Sequence, residues 1–335
     1  MHIFIDETGN FLPTANGPKP SFVGALIIPD FKLAEVFSRY EKIRRQLPKK
    51  GNEVKGSGLN PKQVAAVVEM LRRNNVLFHC TGIEMSIHTA AGIEIQRAKQ
   101  ADALTANLTD EHHPNFRAQI LEIRDYLESL TPQLYVQTQV LFHLLRDTIE
   151  HCMMYWSQRH PQELGKLAWV VDAKGDKNKP TNWEKWWSLL ILPWMQNETM
   201  NRPFGIPSFG DFSHAKHYEL ELSAFMRAHT TEPEKAAASF DIKKLLTENL
   251  TFDGTNNYGL ELVDIVTNAT GRAFTGWTEK GWGGIPSLMI HRANRQYLTF
   301  IAMQDLAPEA MKSLYPKVVA AFKQNGRSMI APRFR

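Results

Sequence analysis

The chain opens with the alternating pattern of a short β-strand. In Met1–Gly9 the β-branched Ile3 and Ile5 alternate with His2 and Phe4, and the turn-forming residues 8–10 follow. This pattern predicts that Asp6 lies at the carboxyl end of strand one. Ligands of α/β sheets bind beside the carboxyl ends of strands, so Asp6 is a candidate for chemistry. An ordinary solvated strand end is the alternative.

The next segments predict a β-meander with two helices. Residues 21–28 form an apolar run stopped by Pro29, and the short interval favours an antiparallel partner for strand one. Apolar residues at helical spacing predict a helix over 31–46, and Pro61 near a first helical turn predicts a second helix over 61–73. A third strand is predicted over 75–85.

Long helical patterns occupy residues 86–160, with helices predicted over 93–108, 115–130 and 133–158. No linker marks the edges of this block. It is therefore interpreted as a helical insertion or cap within a single domain that spans 1–335. The helix over 133–158 is long and amphipathic, so a homodimer through the insertion is one expectation. The loop over 108–114 carries two histidines and two acids, and we favour solvated residues over a metal site.

The second half repeats the pattern of a strand followed by an acid. Leu167–Val171 is a continuous apolar run that ends in Asp172. A tryptophan-rich helix over 182–197 is expected to pack in the core rather than to stack on bases. The remaining patterns predict strands over 217–222 and 296–303 and helices over 260–269 and 308–324.

An acid in an apolar helix marks the late part of the chain. Glu261, Asp264 and Asn268 share one helical face, and the residues on either side of Asp264 are apolar. A buried unpaired carboxylate is costly, so Asp264 is predicted to lie near a site or a partner. The histidines on the 133–158 helix, His143 and His151, are interpreted as packing residues.

Composition narrows the class of protein. The 335 residues are 43% hydrophobic, which can fill a sizeable core, and the formal charge is +4. The sequence pI near 8.9 permits nucleic acid as a partner without demonstrating it. Cys80 and Cys152 lie in apolar surroundings and offer neither a disulfide framework nor a cysteine-rich zinc site. With no basic leader and no 18-residue apolar run, the expectation is a cytoplasmic protein without membrane contact.

Four acids stand at element ends or in unusual contexts: Asp6, Glu53, Asp172 and Asp264. Clustered carboxylates repel one another, so their cohesion requires protons, cationic side chains or divalent metal. Oxygen ligands of this kind suit Mg²⁺ or Mn²⁺. Two such ions about 4 Å apart activate water and stabilise the leaving oxygen of a phosphodiester, which is the chemistry of a nuclease.

Four short motifs resemble those of the "domain of unknown function 3800" family: Ile5-Asp6-Glu7-Thr8-Gly9, Glu53-Val54-Lys55-Gly56-Ser57, Val170-Val171-Asp172 and Leu260-Glu261-Leu262-Val263-Asp264-Ile265. The order of the acids also resembles ribonuclease H. The resemblance implies an α/β, ribonuclease H-like mixed β-sheet flanked by helices. Thr8 stands where the family more often has serine, and the block over 86–160 has no counterpart in a minimal ribonuclease H core.

By this resemblance Asp6, Glu53, Asp172 and Asp264 would be metal ligands for Mg²⁺ or Mn²⁺. Lys55 would contact a phosphate or the transition state, although a solvated loop lysine is the alternative. Glu7 and Glu261 would be outer-sphere or lesser ligands.

The leading hypothesis is a metal-dependent phosphodiesterase or nuclease that cleaves DNA or RNA by a two-metal carboxylate mechanism. The second is a catalytically silent ribonuclease H-like nucleic-acid-binding or scaffold protein, in the defence or mobile-element setting that the resemblance suggests. A third is a hydrolase of a small phosphorylated substrate, which a narrow pocket would favour.

Overall fold

The computed structural model describes residues 1–15, 17–173, 182–202, 204, 209–220, 240–291, 298–303 and 314–334. Eight strands lie in these ranges: β1 (His2–Thr8), β2 (Pro20–Ile28), β3 (Leu77–Glu84), β4 (Ala168–Asp172), β5 (Leu250–Asp253), β6 (Ile290–His291), β7 (Thr299–Ile301) and β8 (Arg327–Ser328). The described α-helices are α1 (Asp30–Arg44), α2 (Pro61–Arg73), α3 (Ala90–Thr105), α4 (Pro114–Ser129), α5 (Pro132–Trp156), α6 (Trp183–Trp186), α7 (Leu192–Asn201), α8 (Ile242–Thr247), α9 (Tyr258–Phe274), α10 (Glu279–Trp282) and α11 (Pro316–Phe322).

A mixed six-stranded sheet organises the fold, in the order β5-β4-β1-β2-β3-β7. The first three strands form the predicted antiparallel meander, in which β2 pairs with β1 on one side and with β3 on the other. The pairs β1–β4, β4–β5 and β3–β7 are parallel. The carboxyl ends of β1, β3, β4, β5 and β7 therefore meet at one edge of the sheet, and the α/β class is confirmed.

Helices cover both faces of the sheet, and the pleat of β1 separates the two cores. Ile3 and Ile5 belong to the core that contains α5, whereas Phe4 belongs to the core that contains α1, α2 and α9. Successive side chains of a strand point to opposite faces. Asp6 consequently lies on the Phe4 face, towards α9.

The predicted helical block forms three helices, α3 to α5, with ends within a few residues of the predicted ones. Val140, Leu144 and Leu145 of α5 are buried in the same core as Ile3 and Ile5. Because it fills one face of the sheet, α5 is a layer of the main core. The loop over 108–114 is largely exposed, as expected, and the Nδ1 atom of its His112 accepts a hydrogen bond from the backbone of Thr109.

The tryptophan-rich segment packs in the core, as predicted. Trp186 and Trp187 are buried, and the indole of Trp186 donates to Thr138 of α5. The helix is irregular, because Trp187–Ile191 forms a π-helical turn between α6 and α7. Both cysteines are buried free thiols. Among the described helices, none is long and apolar enough to cross a membrane.

The predicted strand over 217–222 is wrong in its described part. Ser213–Tyr218 forms a 3₁₀-helix, which buries Ala215 and Tyr218, three residues apart, on one side. Alternating polarity over so few residues did not distinguish the two-residue period of a strand from the three-residue period of a 3₁₀-helix. Residues 221–222, 296–297 and 308–313 of predicted elements lie outside the described residues, and the described remainders contain β7 and α11.

Candidate active site

Two aspartates lie side by side near the carboxyl ends of neighbouring parallel strands. Ile5 of β1 pairs with Val171 of β4, so the residues that follow them, Asp6 and Asp172, are adjacent across about 4.8 Å of sheet. Val171 packs in the core that contains α5. Because successive side chains of a strand point to opposite faces, Asp172 lies on the same face of the sheet as Asp6. Asp6 is 7% exposed. Asp172 ends its strand as predicted, whereas β1 continues from Asp6 to Thr8, and the pairing of the two strands brings the acids together.

Helix α9 crosses this face of the sheet and supplies Asp264. Gly259 in its first turn lies against the ring of Phe4, and a Cβ atom there would be 2.1 Å from that ring. Thr8 of β1 accepts a 3.4 Å hydrogen bond from the amide of Asn268, one turn after Asp264. Contacts on both sides of Asp264 therefore fix its height above the strand ends.

The loop that carries Glu53 and Lys55 is tied to α9 by hydrogen bonds from its backbone. The Gly56 N–H donates to Oδ2 of Asp264 at 2.8 Å. A Cβ atom on Gly56 would be 2.8 Å from the Asp264 carbonyl oxygen, so the close approach requires glycine. Lys55 donates from Nζ to Oε1 of Glu53 at 2.9 Å, which makes an ion pair at the partly exposed surface.

Glu261 is an internal anchor of the same loop. It is fully buried, and it accepts hydrogen bonds from the Tyr40 hydroxyl at 2.8 Å and from Nε of Arg44 at 2.7 Å. Its Oε1 accepts from Nη2 of Arg44 at 2.7 Å and from the Val54 N–H at 3.1 Å. With its charge compensated by Arg44, Glu261 is better placed to position the loop than to serve as a metal ligand.

Electrostatic coupling joins the acids into one site. Burial raises the pKa of Asp6 well above its ordinary value, and the charges of Glu7, Asp264 and Asp172 raise it further. The Glu7 N–H, which donates to Asp6 at 2.8 Å, opposes this shift. Burial, with the charge of Asp172 next in size, raises the pKa of Glu7 to about 7. Each acid is therefore harder to ionise because the others are charged.

The pKa values of Asp264 and Lys55 are each set by neighbours that raise it and others that lower it. Burial raises the pKa of Asp264, as do the charges of Glu53 and Asp172, while the Gly56 N–H and Lys55 lower it. Burial tends to lower the pKa of Lys55, but the hydrogen bond to Glu53 and the charges of the acids outweigh it and raise that pKa. Lys55 is thus a cation held at the margin of an acidic site.

The donor set suits a hard divalent cation, but it does not surround one. Carboxylate oxygens are the ligands that Mg²⁺ and Mn²⁺ prefer. Within the part of the chain that the structure describes, no three aspartate, glutamate, histidine or cysteine side chains are arranged to hold a metal ion. The carboxylate oxygens are therefore of the type that the expected metal ion prefers, but among the described residues no three of these side chains converge on one point.

Sequence reasoning missed Asp253, the last residue of β5. It pairs with Asp172, which places a third aspartate at the carboxyl ends of three consecutive parallel strands. Its Oδ1 accepts from the Thr255 N–H at 2.8 Å and its Oδ2 from the Asn257 amide at 3.0 Å, so it shapes the turn into α9. A short apolar run followed by Asp-Gly was the available signal, and it repeats the pattern around Asp172.

The histidines on α5 lie away from this site. Burial lowers the pKa of His143. His151 is buried, with its Nδ1 atom 3.3 Å from that of His79, on the face of the sheet that α5 covers. Both positions agree with a packing role.

Comparison with known proteins gives no further guide, because no family model, curated protein or solved structure matches the chain.

The upward shift at Glu7 predicts a loss of stability as the pH rises. The native state keeps its proton up to about pH 7, whereas the unfolded chain releases it near 4.5, so the free energy of unfolding falls between these values. Glu7→Gln removes this ionisation. Relative to the parent chain, we expect the variant to gain about 1–3 kcal/mol between about pH 5 and about pH 8, measured by urea denaturation.

Glu111→Gln is the control for this measurement, because Glu111 is an exposed acid in the loop before α4. Its stability should follow that of the parent chain at both pH values. A stability difference for Glu7→Gln that is the same at both pH values would contradict the assignment.

The anchoring role of Glu261 predicts a large loss of stability on substitution. Glu261→Gln leaves Arg44, which is 12% exposed, without its buried counter-charge. Breaking such a pair costs about 3–5 kcal/mol. Glu69→Gln, which removes the 41% exposed partner of Arg72 and Arg73, should cost at most about 1 kcal/mol. Equal losses in urea denaturation would show that Glu261 is not an anchor.

Proposed function

We propose that this chain is a metal-dependent phosphodiesterase, a nuclease acting on DNA or RNA, with its active site at the carboxyl ends of β1 and β4. The observation that carries this proposal is a set of neighbouring acids, in which the buried Asp6 and the half-buried Asp264 have pKa values raised by desolvation and by neighbouring carboxylates. Such a set destabilises the fold, which favours a catalytic role for it. Its location is the edge where α/β sheets bind ligands.

The architecture supports a ribonuclease H-like version of this proposal. The mixed sheet is flanked by helices, as the family resemblance implies. Acids lie near the end of strand one, at the end of strand four and on a late helix, in the order of ribonuclease H. Glu53 lies three residues before the 3₁₀ turn Gly56–Gly58, rather than at the start of a long helix.

Each candidate residue has a role in this proposal. Asp6, Asp172, Asp264 and Glu53 would hold Mg²⁺ or Mn²⁺, with Glu7 as a lesser contributor. When bound, the ions would supply a Lewis acid and an activated water for phosphodiester hydrolysis.

Lys55 would contact a phosphate of the substrate. Its Nζ atom is 2.9 Å from Glu53, and its side chain is 35% exposed, so an incoming phosphate can reach it. The Gly56 N–H keeps Asp264 beside this loop.

A second candidate function is nucleic-acid binding without catalysis. It is favoured by the absence, among the described residues, of three ligating side chains arranged around one ion. On this alternative the acids would shape a recognition surface, and substrate would bind and remain intact.

Cleavage of labelled single-stranded, double-stranded and hybrid oligonucleotides in Mg²⁺, Mn²⁺ or EDTA tests the nuclease proposal. We expect cleavage with metal only. Asp6→Asn and Asp172→Asn should each lower the cleavage rate by at least ~100-fold. Removing a residue that only supports a metal ligand already costs up to about 100-fold, and these two residues would be ligands themselves.

Glu111→Gln is the control for these variants, and it should retain the parent rate. Circular dichroism and urea denaturation establish that each variant is folded. Binding without cleavage in every metal would favour the second candidate function instead, and metal-independent cleavage would refute the carboxylate mechanism.

A further inference from the structure

Three exposed lysines lie along the stretch of chain from the end of α1 to the loop that carries Glu53 and Lys55. Lys42 lies in the last turn of α1, and Lys49 and Lys50 lie in the segment that joins α1 to this loop. We call Lys42, Lys49 and Lys50 the lysine rim. Arg44 lies between Lys42 and Lys49 in the sequence, but its guanidinium bonds to the buried Glu261. Arg44 therefore belongs to the interior and the three lysines to the surface.

The lysine rim is connected to the acidic site through the backbone. The Lys50 N–H donates to the Glu53 carbonyl at 2.8 Å, and the Glu53 N–H donates back at 3.3 Å. Residues paired in this way have Cα atoms about 5.5 Å apart. Nη2 of Arg44 also donates to the Asn52 carbonyl, which fixes the turn between them. Lys50 is thus held at a set distance from Glu53, and Lys49 directly precedes it in the chain.

The positive charges of the lysine rim are not neutralised by acids of the described fold. None of Lys42, Lys49 and Lys50 forms an ion pair with a described residue; the nearby Glu41 pairs with Arg45 and bonds to Tyr258. A cation at the end of a helix also complements the helix dipole, which accounts for Lys42. That explanation does not extend to Lys49 and Lys50, which lie beyond the end of α1.

From this arrangement we infer that the lysine rim binds the sugar-phosphate backbone of a polynucleotide as it leaves the acidic site. The inference rests on the proposed function and deepens it. A mononucleotide would end at the acids and leave the rim unused, whereas a strand that extends past them meets the lysines beside Glu53. Lysine binds phosphates as a point charge without regard to sequence, so the rim would supply affinity rather than specificity.

Binding measured in EDTA tests the rim separately from catalysis. Fluorescence anisotropy with labelled single-stranded DNA, single-stranded RNA and duplex DNA gives the dissociation constant as a function of salt. Lys49→Glu/Lys50→Glu should weaken binding by at least ~10-fold. For single strands, the negative slope of the log association constant against log salt should become less steep by about 1.4. Lys49→Gln/Lys50→Gln should change both quantities in the same direction.

The matched control is Lys166→Glu/Lys243→Glu, which changes the net charge equally. Lys166 precedes the amino end of β4, and Lys243 lies on α8, which leads into the amino end of β5. Both lysines are exposed, and this control should bind nearly as the parent chain does.

Failure to bind any strand would overturn the inference, as would equal losses in rim and control variants or a rim variant with the parent slope. Because EDTA removes the metal, rim-dependent binding stands even if no cleavage is found. Cleavage without rim dependence would leave the nuclease proposal in place and remove only the rim.

Discussion

The close packing of α9 against β1 and β2 is the constraint on which the candidate site depends. Glycine at 259 lets the helix approach Phe4, and Gly24 of β2 leaves room for the hydroxyl of Thr267. A side chain at either glycine would collide with its neighbour across the interface. These contacts fix both the height and the rotation of the helix, since packed interiors have little free volume to absorb a shift. Glu261, Asp264 and Asn268 are thereby set in place.

Helix α9 in turn holds the loop that completes the site. Glu261 accepts the Val54 N–H and Asp264 accepts the Gly56 N–H, so every second residue of the loop is fastened to the helix. Val54 and Gly56 are buried, whereas Glu53 and Lys55 are partly exposed between them. Glu261 forms a buried ion pair with Arg44, whereas Asp264 accepts a backbone N–H and lies near the partly exposed Lys55. Two acids one helical turn apart therefore have different physical roles.

The acids near the strand ends carry an electrostatic cost that the rest of the fold must offset. Burial disfavours the charged form of Asp6, and adjacent carboxylates disfavour it further. Two large apolar cores, one on each face of the sheet, supply the stability that makes this tolerable. On the proposed function, divalent ions would relieve the repulsion, which would couple metal binding to stability.

Local pattern alone was enough to predict most elements of the fold. Pro61 near a first helical turn placed α2 at its observed bounds, and the apolar run stopped by Pro29 placed β2 within one residue of its start. Local pattern failed for the strand predicted over 217–222, because alternation over so few residues did not distinguish a period of two from the period of three in the 3₁₀-helix Ser213–Tyr218. Asp253 was missed because its meaning depends on pairing with Asp172, which is distant in sequence.

By itself, the sequence indicated that Asp172 ends a strand, that Asp6 lies near the end of one and that Asp264 interrupts an apolar helix, because these properties depend on neighbours along the chain. Only the tertiary structure decided what each acid does. Strand pairing and the contact of α9 with the sheet turned Asp6, Asp172 and Asp264 towards one another. The same contact gave Glu261 a buried arginine. Burial and charge partners depend on residues more than 200 positions apart, which no local pattern specifies.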